Sequence, residues 1–200
     1  NDLLSDFFIR LESIKGSIRV KTSKVGKKIY MNGEDTDKKT PHKFDELIPG
    51  KYTFKIVSDD YLSTIHEVKL EKKEKKEISI SSILGSIRVK TNEPNKKIYL
   101  DGKDTHKTTP YQLKYIKPGK HTVQVKSEDY LSEKVEFNLG QSEDKELNLK
   151  SILGKISAKT KIPNQKIYVN GEYCNKDTPD NLYLKPGEYT LQIKSDKYYT

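Results

Sequence analysis

The amino-acid sequence repeats itself with a period of 69 residues, and this repetition limits the folds that are open to it. Residues 16–22 read Gly-Ser-Ile-Arg-Val-Lys-Thr, the same seven letters return at 85–91, and Gly-Lys-Ile-Ser-Ala-Lys-Thr stands at 154–160. Self-similarity at a fixed spacing of this size is typical of tandem structural units. We therefore divide the chain into a first repeat (residues 16–84), a second repeat (85–153) and a third repeat (154–200), preceded by residues 1–15.

Each repeat carries a hairpin signal at the same register. The letters Lys-Ile-Tyr are followed, after one further residue, by Asn-Gly in the first and third repeats and by Asp-Gly in the second. These dipeptides tolerate the two positive φ angles of a type I′ turn, so they predict a two-residue β-hairpin in every repeat. The glycines of these turns are Gly33, Gly102 and Gly171.

Two proline motifs follow the hairpin in fixed order, first Thr-Pro and then Pro-Gly. Pro-Gly predicts a type II turn that opens a strand, because proline fixes the first φ angle and glycine accepts a positive second one. The strand that follows alternates apolar and polar residues, and a tyrosine recurs shortly after its end. The residues of this pattern are Pro41, Pro110, Pro179, Pro49, Gly50, Pro118, Gly119, Pro186, Gly187, Tyr61, Tyr130 and Tyr198.

These signals together predict an all-β chain built from small β-sandwich modules. Period-two alternation indicates sheets with one buried face, and about six short strands per repeat are most readily covered in a two-layer sandwich. A hydrophobic content of 32% beside a charged content of 34% suits several small cores better than one large core. The junctions at 82–85 and 151–154 both read Ser-Ile-Leu-Gly and contain no flexible spacer. We therefore expect a semi-rigid, elongated array that spans roughly 80 Å.

The two ends of the chain are expected to be parts of units rather than whole ones. Residues 1–15 are interpreted as the end of a preceding unit or a linker, with a strand at about 7–11 or, alternatively, a short amphipathic helix. The third repeat is incomplete at its C-terminal end and lacks counterparts of the two closing strands. Either a longer parent chain supplies these strands, or the N-terminal segment of another molecule does so and joins chains head to tail.

Side chains that carry most enzyme chemistry do not recur with the repeat. The histidines occupy four different repeat positions, and these are His42, His66, His106 and His121. His66 and His121 fall at inward strand positions, so we interpret them as residues at the edge of the core rather than metal ligands. Cys174 has no recurring histidine beside it, which favours an inert thiol over a nucleophile. We expect no catalytic, cofactor-binding or metal-binding residue.

Three further groups of residues are interpreted as structural. Glu34, Asp35 and Asp37 lack the ligand order of an EF-hand and predict a solvated loop. The charges at 71–77 almost cancel, and this segment is predicted to be a solvated hairpin loop. The tyrosines at 30, 99 and 168 are interpreted as packing residues, whereas an outward position would indicate a face for stacking a glycan or a peptide.

The formal net charge of +9 would suit an anionic partner, but its composition weakens that interpretation. Almost all cationic residues are lysines, and the arginines are only Arg10, Arg19 and Arg88. Nucleic acid is therefore not expected as a partner, while an anionic glycan stays among the candidates. No apolar run approaches the roughly 18 residues that a membrane span needs.

The order of these motifs resembles the PEGA domain family, three times over and across nearly the whole chain. The name-giving Pro-Glu-Gly-Ala stretch corresponds to Pro94-Asn95-Lys96-Lys97 in the second repeat, and the glycine that usually precedes the later tyrosine is replaced by Asp60 and Asp129. The resemblance implies a β-sandwich accessory module without a catalytic set. Such modules are found on prokaryotic surface-layer and envelope proteins and attached to kinases, peptidases and other effector domains.

We therefore expect a non-catalytic structural and interaction region of a larger protein. It would act as a semi-rigid stalk or scaffold that mediates protein–protein or cell-envelope contacts, with a protein partner or the neighbouring domains of the parent chain as its counterpart. A multivalent binding array for a protein or carbohydrate is one alternative. The adaptor region of a cytosolic signalling kinase or peptidase is another. A cell-envelope or extracytoplasmic location is favoured over a cytoplasmic one.

Overall fold

A computed structural model describes residues 14–195, and every regular element in that range is a β-strand. The all-β prediction is therefore confirmed. The predicted strand at about 7–11 and the recurring tyrosine at position 198 lie outside the described residues. The described residues form two compact units. One comprises the residues up to Ile87 with 113–119 and 138–145, and the other comprises 88–112, 120–137 and the residues from 146 onward.

The first repeat is a two-layer β-sandwich. A three-stranded sheet has the order β4–β1–β8, and a five-stranded sheet has the order β3–β2–β5–β6 with β7 paired to β5. Their strands are β1 (Gly16–Lys21), β2 (Lys28–Met31), β3 (Glu34–Lys39), β4 (His42–Leu47), β5 (Gly50–Ser58), β6 (Tyr61–Leu62), β7 (His66–Leu70) and β8 (Lys75–Ser79). The buried core draws on both sheets and consists of Ile18, Val20, Ile29, Phe54, Ile56, Tyr61, Val68, Leu70, Ile78 and Ile80.

The predicted type I′ hairpins are present in all three repeats. Asn32 and Gly33 have φ angles of 53° and 89°, and Met31 pairs with Glu34 across the two-residue turn. The corresponding angles are 49° and 77° in the second repeat and 50° and 85° in the third. Two successive positive φ angles define this turn type, and its twist matches that of the flanking strands.

The structure corrects the strand count and two of the predicted loops. The first and second repeats each contain eight strands rather than six. Residues 34–39 form β3 instead of a solvated loop, because the type I′ turn continues directly into a paired strand. The segment at 71–77 is not a hairpin loop, since it connects β7 in the five-stranded sheet to β8 in the three-stranded sheet. There β8 runs parallel to β1, with Val20 opposite Ile78.

The predicted type II turn at Pro-Gly is wrong in the first repeat, whereas Gly119 of the second repeat has a positive φ angle of 136°. Gly50 does not have a positive φ angle, and the backbone instead bends at Glu46, whose φ is 59°. Glu46 lies where the β1–β4 register slips between Gly16 and Ile18, which is the geometry of a β-bulge. The bend is therefore made before the proline. The glycine begins β5, as the sequence predicted for this strand.

The second repeat has the same strand order as the first. Its sheets are β12–β9–β16 and β11–β10–β13–β14, with β15 paired to β13. These strands are β9 (Gly85–Thr91), β10 (Lys97–Leu100), β11 (Lys103–Thr108), β12 (Tyr111–Ile116), β13 (Gly119–Ser127), β14 (Tyr130–Leu131), β15 (Val135–Leu139) and β16 (Asp144–Leu149). Buried side chains recur at the register of the first repeat, as at Ile87, Ile98 and Val125.

Five strands form the described part of the third repeat. They are β17 (Gly154–Ala158), β18 (Lys166–Val169), β19 (Glu172–Asp177), β20 (Asp180–Leu184) and β21 (Leu191–Lys194), in sheets β17–β20 and β19–β18–β21. Ala158, Ile167 and Leu182 form a small core. Leu191 and Ile193, apolar residues of the alternating strand that follows Pro186-Gly187, are 43% and 40% exposed. Within residues 154–195 no strand corresponds to β7 or β8. The side chains of Leu191 and Ile193 therefore lack the cover that such strands would provide.

Candidate functional site: the junction between successive repeats

The junction that follows the first repeat is hydrogen-bonded to that repeat through main-chain and side-chain groups. The Ile83 amide donates to the Leu62 carbonyl oxygen at 2.7 Å. The Ser82 hydroxyl oxygen accepts from the amides of Leu84 at 3.2 Å and Leu62 at 3.4 Å. A segment with no proline and a single glycine thus leaves the sandwich along a defined path.

The same segment is held from its other side by the connection between β15 and β16. The Ser142 amide donates to the Ile83 carbonyl oxygen at 3.0 Å, and the Ser142 hydroxyl donates to the Ser82 carbonyl oxygen at 2.7 Å. The Ser86 amide donates to the Glu143 carbonyl oxygen at 2.9 Å. All these residues belong to the first compact unit. Bonds on both sides leave the junction few free backbone rotations.

These contacts recur at equivalent positions, so they are a property of the repeat. At the start of the first repeat, the Lys73 amide donates to the Ile14 carbonyl oxygen at 3.0 Å, and the Ser17 amide donates to the Glu74 carbonyl oxygen at 2.8 Å. In the second unit, the Ile152 amide donates to the Leu131 carbonyl oxygen at 2.7 Å. The recurring Ser-Ile-Leu-Gly residues mark this junction in the sequence, but the residues that hold it by hydrogen bonds are distant in the sequence.

Glycine is required where this connection crosses the first strand of a repeat. A Cβ added at Gly16 would lie 2.5 Å from the Glu74 carbonyl oxygen, and one at Gly85 would overlap the Glu143 carbonyl oxygen even more closely. Real Cβ atoms do not approach backbone oxygens to that distance. At Gly154, the nearest atom to an added Cβ is the Leu184 carbonyl oxygen at 3.8 Å. The glycine therefore makes the crossing possible in the first two repeats.

A lysine–aspartate ion pair recurs in two repeats, between the residues that directly precede β2 and β6 in the first repeat and β10 and β14 in the second. Lys27 Nζ lies 2.5 Å from an Asp60 carboxylate oxygen, and Lys96 Nζ lies 2.6 Å from one of Asp129. Lys96 is only 8% exposed and also contacts Glu93 at 3.1 Å. Both aspartates are departures from the family pattern. The constant 33-residue spacing of lysine and aspartate in the two repeats is the sequence signal that would have revealed the pair.

The electrostatics of these pairs favour fully charged groups. The hydrogen bond from Lys96 lowers the pKa of Asp129, against the opposing effect of burial. Burial would lower the pKa of Lys96, but Asp129 and Glu93 outweigh it and raise that pKa. An amide bond between the two side chains would require the lysine as a neutral amine and the aspartate as a protonated acid. Because the surroundings favour the charged form of both groups, the lysine and the aspartate form an ion pair.

Replacing the aspartates of these pairs by asparagine is expected to make the stability of the fold less sensitive to low pH. Hydrogen bonds from Lys27 and Lys96 hold the pKa values of Asp60 and Asp129 below their ordinary value of about 3.9 in the folded protein. Their stabilisation is therefore present above that value and is lost as the pH falls below it. Urea midpoints measured from pH 6 down to about pH 2 should decline less steeply for Asp60→Asn with Asp129→Asn than for the unmodified chain.

The matched control for that experiment is Asp59→Asn, an exposed carboxylate beside Asp60. It should leave the acid limb unchanged. If the double variant and the control give the same pH profile, the ion pairs do not contribute to the acid sensitivity of the fold.

The signature residues occupy turns, strand starts and the core. Pro41, Pro110 and Pro179 each follow a cis peptide bond, and the threonine before each is buried. In the first repeat the Thr40 hydroxyl oxygen lies 2.6 Å from that of Thr22, and the same pair recurs as Thr91 with Thr109 and Thr160 with Thr178, at 2.6 Å each. Pro49 and Pro118 precede β5 and β13, while Pro186 and Gly187 lie in an exposed bend. Tyr61 and Tyr130 are fully buried.

The histidines and the cysteine do not converge. His66 is exposed, so its assignment to the core edge was wrong; it is the first residue of β7, and the core residues of that strand are Val68 and Leu70. His121 is half-buried and pairs with Asp101 at 2.8 Å. The Cys174 thiol lies 3.2 Å from the Ile167 carbonyl oxygen. Among residues 14–195, no three metal-ligating side chains gather in one place, and no helix in that range is suited to crossing a bilayer.

Small β-sandwiches repeated along one chain, with an ordered junction between them, define a tandem-repeat protein of the β class. The chain belongs to the PEGA domain family, whose model matches residues 15–81, 84–151 and 153–200.

Solved structures give weaker similarities. The chain is similar to the Bacillus anthracis TIE protein, at 14% identity over 91% of this chain and 46% of that chain, with a TM-score of 0.31. It is also similar to a Streptococcal ancillary pilin (10% identity, 70% and 63% coverage, TM-score 0.34). A third similarity is to the shaft pilin spaA from Lactobacillus rhamnosus GG (8% identity, 68% and 98% coverage, TM-score 0.31). The chain thus spans less than two thirds of the first two structures. No curated protein matches it.

Proposed function

We propose that the chain is a non-catalytic structural region of a larger protein, a semi-rigid stalk or scaffold that positions neighbouring domains or presents a surface to a protein partner. The observation that carries this proposal is the junction at 82–86, which is hydrogen-bonded on both sides within the first unit. A flexible tether would need several residues without fixed partners. Here three of the four residues at 83–86, namely Ile83, Leu84 and Ser86, each have an amide hydrogen bond in the junction.

The recurring threonines, tyrosines and glycines also support a structural role. The threonine–threonine pairs and the buried tyrosines make internal hydrogen bonds, and the glycines at 16 and 85 permit close packing of backbone. Such groups contribute to folding and leave no reactive atom at the surface. Tandem units of this kind depend on their own cores and on contacts with their neighbours.

A flexible insertion at the junction is expected to change the scattering of the chain. Without it, we expect a maximum dimension of roughly 80 Å and a radius of gyration of roughly 25 Å, against roughly 16 Å for a compact domain of this length. Gly-Ser-Gly-Ser inserted between Ile83 and Leu84 separates the bonds on the two sides of the junction. Small-angle X-ray scattering should then show a broader distribution of interatomic distances.

The control carries the same insertion between Gly187 and Glu188, in an exposed bend of the third repeat. It should leave the distribution close to that of the unmodified chain. A compact radius of gyration for the unmodified chain, or equal broadening in both variants, would contradict the stalk.

A further inference from the structure

One pair of identical side chains in all three repeats contributes nothing to the cores. On β2, Ile29 is fully buried and faces the core, so Lys28 and Tyr30 on either side of it face outward. The same letters stand at Lys97 and Tyr99 and at Lys166 and Tyr168, again around a buried isoleucine. These outward residues also make contacts on the surface of their sheet, since Lys28 Nζ lies 3.5 Å from an Asp35 carboxylate oxygen, and Lys126 and Lys194 lie over the rings of Tyr99 and Tyr168. Packing of the core alone therefore does not account for the identity of this outward pair.

In the first unit this outer face adjoins a cleft of about 710 Å³. Three lysines and one acidic residue line the cleft, together with the rings of Tyr30 and Tyr115 and an apolar floor of Val57, Leu62 and Leu84. Its lysines are Lys28, Lys39 and Lys117. The lining therefore combines a net positive charge with flat aromatic surface, and every lining residue belongs to the first unit.

Tyr115 borders this cleft with a side chain that is 46% exposed. Its φ angle of 64° occurs at the repeat position of Glu46, so the bend of the fold accounts for it. Lys24 Nζ donates to the Tyr115 hydroxyl oxygen at 3.1 Å and lies 4.4 Å from the ring centroid. A large apolar ring is thus fixed at the surface beside cationic groups, where burial does not explain it.

We propose that this outer face and its cleft bind an acidic polysaccharide, with pyranose rings stacked on Tyr30 and Tyr115 and carboxylates paired with the lysines. The apolar C–H face of a sugar ring matches a tyrosine ring, and fixed anions along the polymer match a repeated lysine. This inference is independent of the stalk role, since a rigid chain needs no ligand.

An acidic peptide is the competing ligand. Extended peptides are usually held by pairing with the free edge of a sheet. Among the strands that border the cleft, β2 and β5 have a partner on both sides, while Lys39 of β3 and Tyr115 of β12 belong to edge strands. The two tyrosine rings favour the polysaccharide, and poly-L-glutamate is the ligand that tests the alternative.

The test titrates the full chain with polygalacturonate fragments, with neutral dextran fragments and with poly-L-glutamate, while the amide resonances are followed by NMR. We expect polygalacturonate to shift the resonances of Lys28, Tyr30 and Tyr115, with an affinity that falls as salt rises. Dextran and poly-L-glutamate should bind at least about tenfold more weakly.

Two variants separate stacking from charge. Tyr30→Leu keeps an apolar side chain but removes the ring, and Lys28→Ala with Lys39→Ala removes two cations; each should weaken binding at the first unit about tenfold. Lys72→Ala with Lys120→Ala removes the same charge from exposed positions outside the cleft and should leave binding unchanged. Circular dichroism establishes that each variant folds. Failure of polygalacturonate to bind, equal binding of poly-L-glutamate, or indifference to Tyr30→Leu would overturn the proposal.

Discussion

Replacing Gly85 by alanine is expected to lower the free energy of unfolding by about 3 kcal/mol. The added methyl group would overlap the Glu143 carbonyl oxygen and lie 3.1 Å from Leu139 Cδ2. Backbone cannot yield as a flexible side-chain tip does, so the β15–β16 connection must move away. That movement would also strain the hydrogen bond from the Ser86 amide to Glu143. Urea unfolding followed by far-ultraviolet circular dichroism measures the loss.

The chain supplies its own control for this substitution. Gly154 is the equivalent glycine of the third repeat, but an added Cβ there meets only ordinary van der Waals distances. Gly154→Ala should change stability by no more than about 0.5 kcal/mol. Equal destabilisation at both positions would mean that strand propensity, rather than the crossing of the connection, determines the cost at position 85.

Gly85 also shows where sequence reasoning reaches its limit. Its recurrence at 16, 85 and 154 was visible, but the reason for it is a backbone that approaches from 58 residues later in the chain. The connection arrives there because β7 and β8 belong to different sheets. A hairpin between them was the simpler interpretation of two adjacent alternating segments. Which sheet a strand joins depends on which sheet faces must cover one another, and the residues of the strand itself do not determine this.

Local turn chemistry was predicted more accurately. At Asn32-Gly33 the φ requirements of two residues determine the turn, so two letters suffice. At Pro49-Gly50 the letters permitted a type II turn, but the bulge at Glu46 makes the bend earlier. Glutamate does not favour a positive φ angle, so the sequence does not predict the left-handed backbone conformation of Glu46. It is held by the β1–β4 pairing on both sides of it.

The candidate site divides in the same way. The Ser-Ile-Leu-Gly letters located the junction, while the hydrogen bonds from Ser142 became visible only with the fold. The recurrence of Lys28 and Tyr30 is visible in the sequence, but the sequence alone favoured a packing role for the tyrosine. Whether a half-buried tyrosine covers a core or borders a cleft depends on neighbours from other strands.

Tyr61→Phe is expected to cost about 2 kcal/mol although it removes a single oxygen atom. Tyr61 is fully buried in the short strand β6, and its hydroxyl donates to the Ile80 carbonyl oxygen at 2.7 Å. Ile80 follows β8, and its amide donates to the Lys21 carbonyl oxygen at 2.9 Å. The tyrosine therefore joins the five-stranded sheet to the three-stranded sheet. Phenylalanine would keep the ring and leave a buried carbonyl group without this donor.

The comparison that tests this bond is Tyr111→Phe, at a tyrosine that is 39% exposed. Its loss of a hydroxyl should change the urea midpoint by no more than the equivalent of about 0.5 kcal/mol. Tyr130→Phe should reproduce the larger effect, because its hydroxyl donates to the Leu149 carbonyl oxygen at the same 2.7 Å. Small losses at both buried tyrosines would show that the rings alone hold the two layers together. A loss confined to Tyr61 and Tyr130 would identify the recurring tyrosine as a hydrogen-bonded tie between the sheets, which explains why phenylalanine does not replace it in either of these repeats.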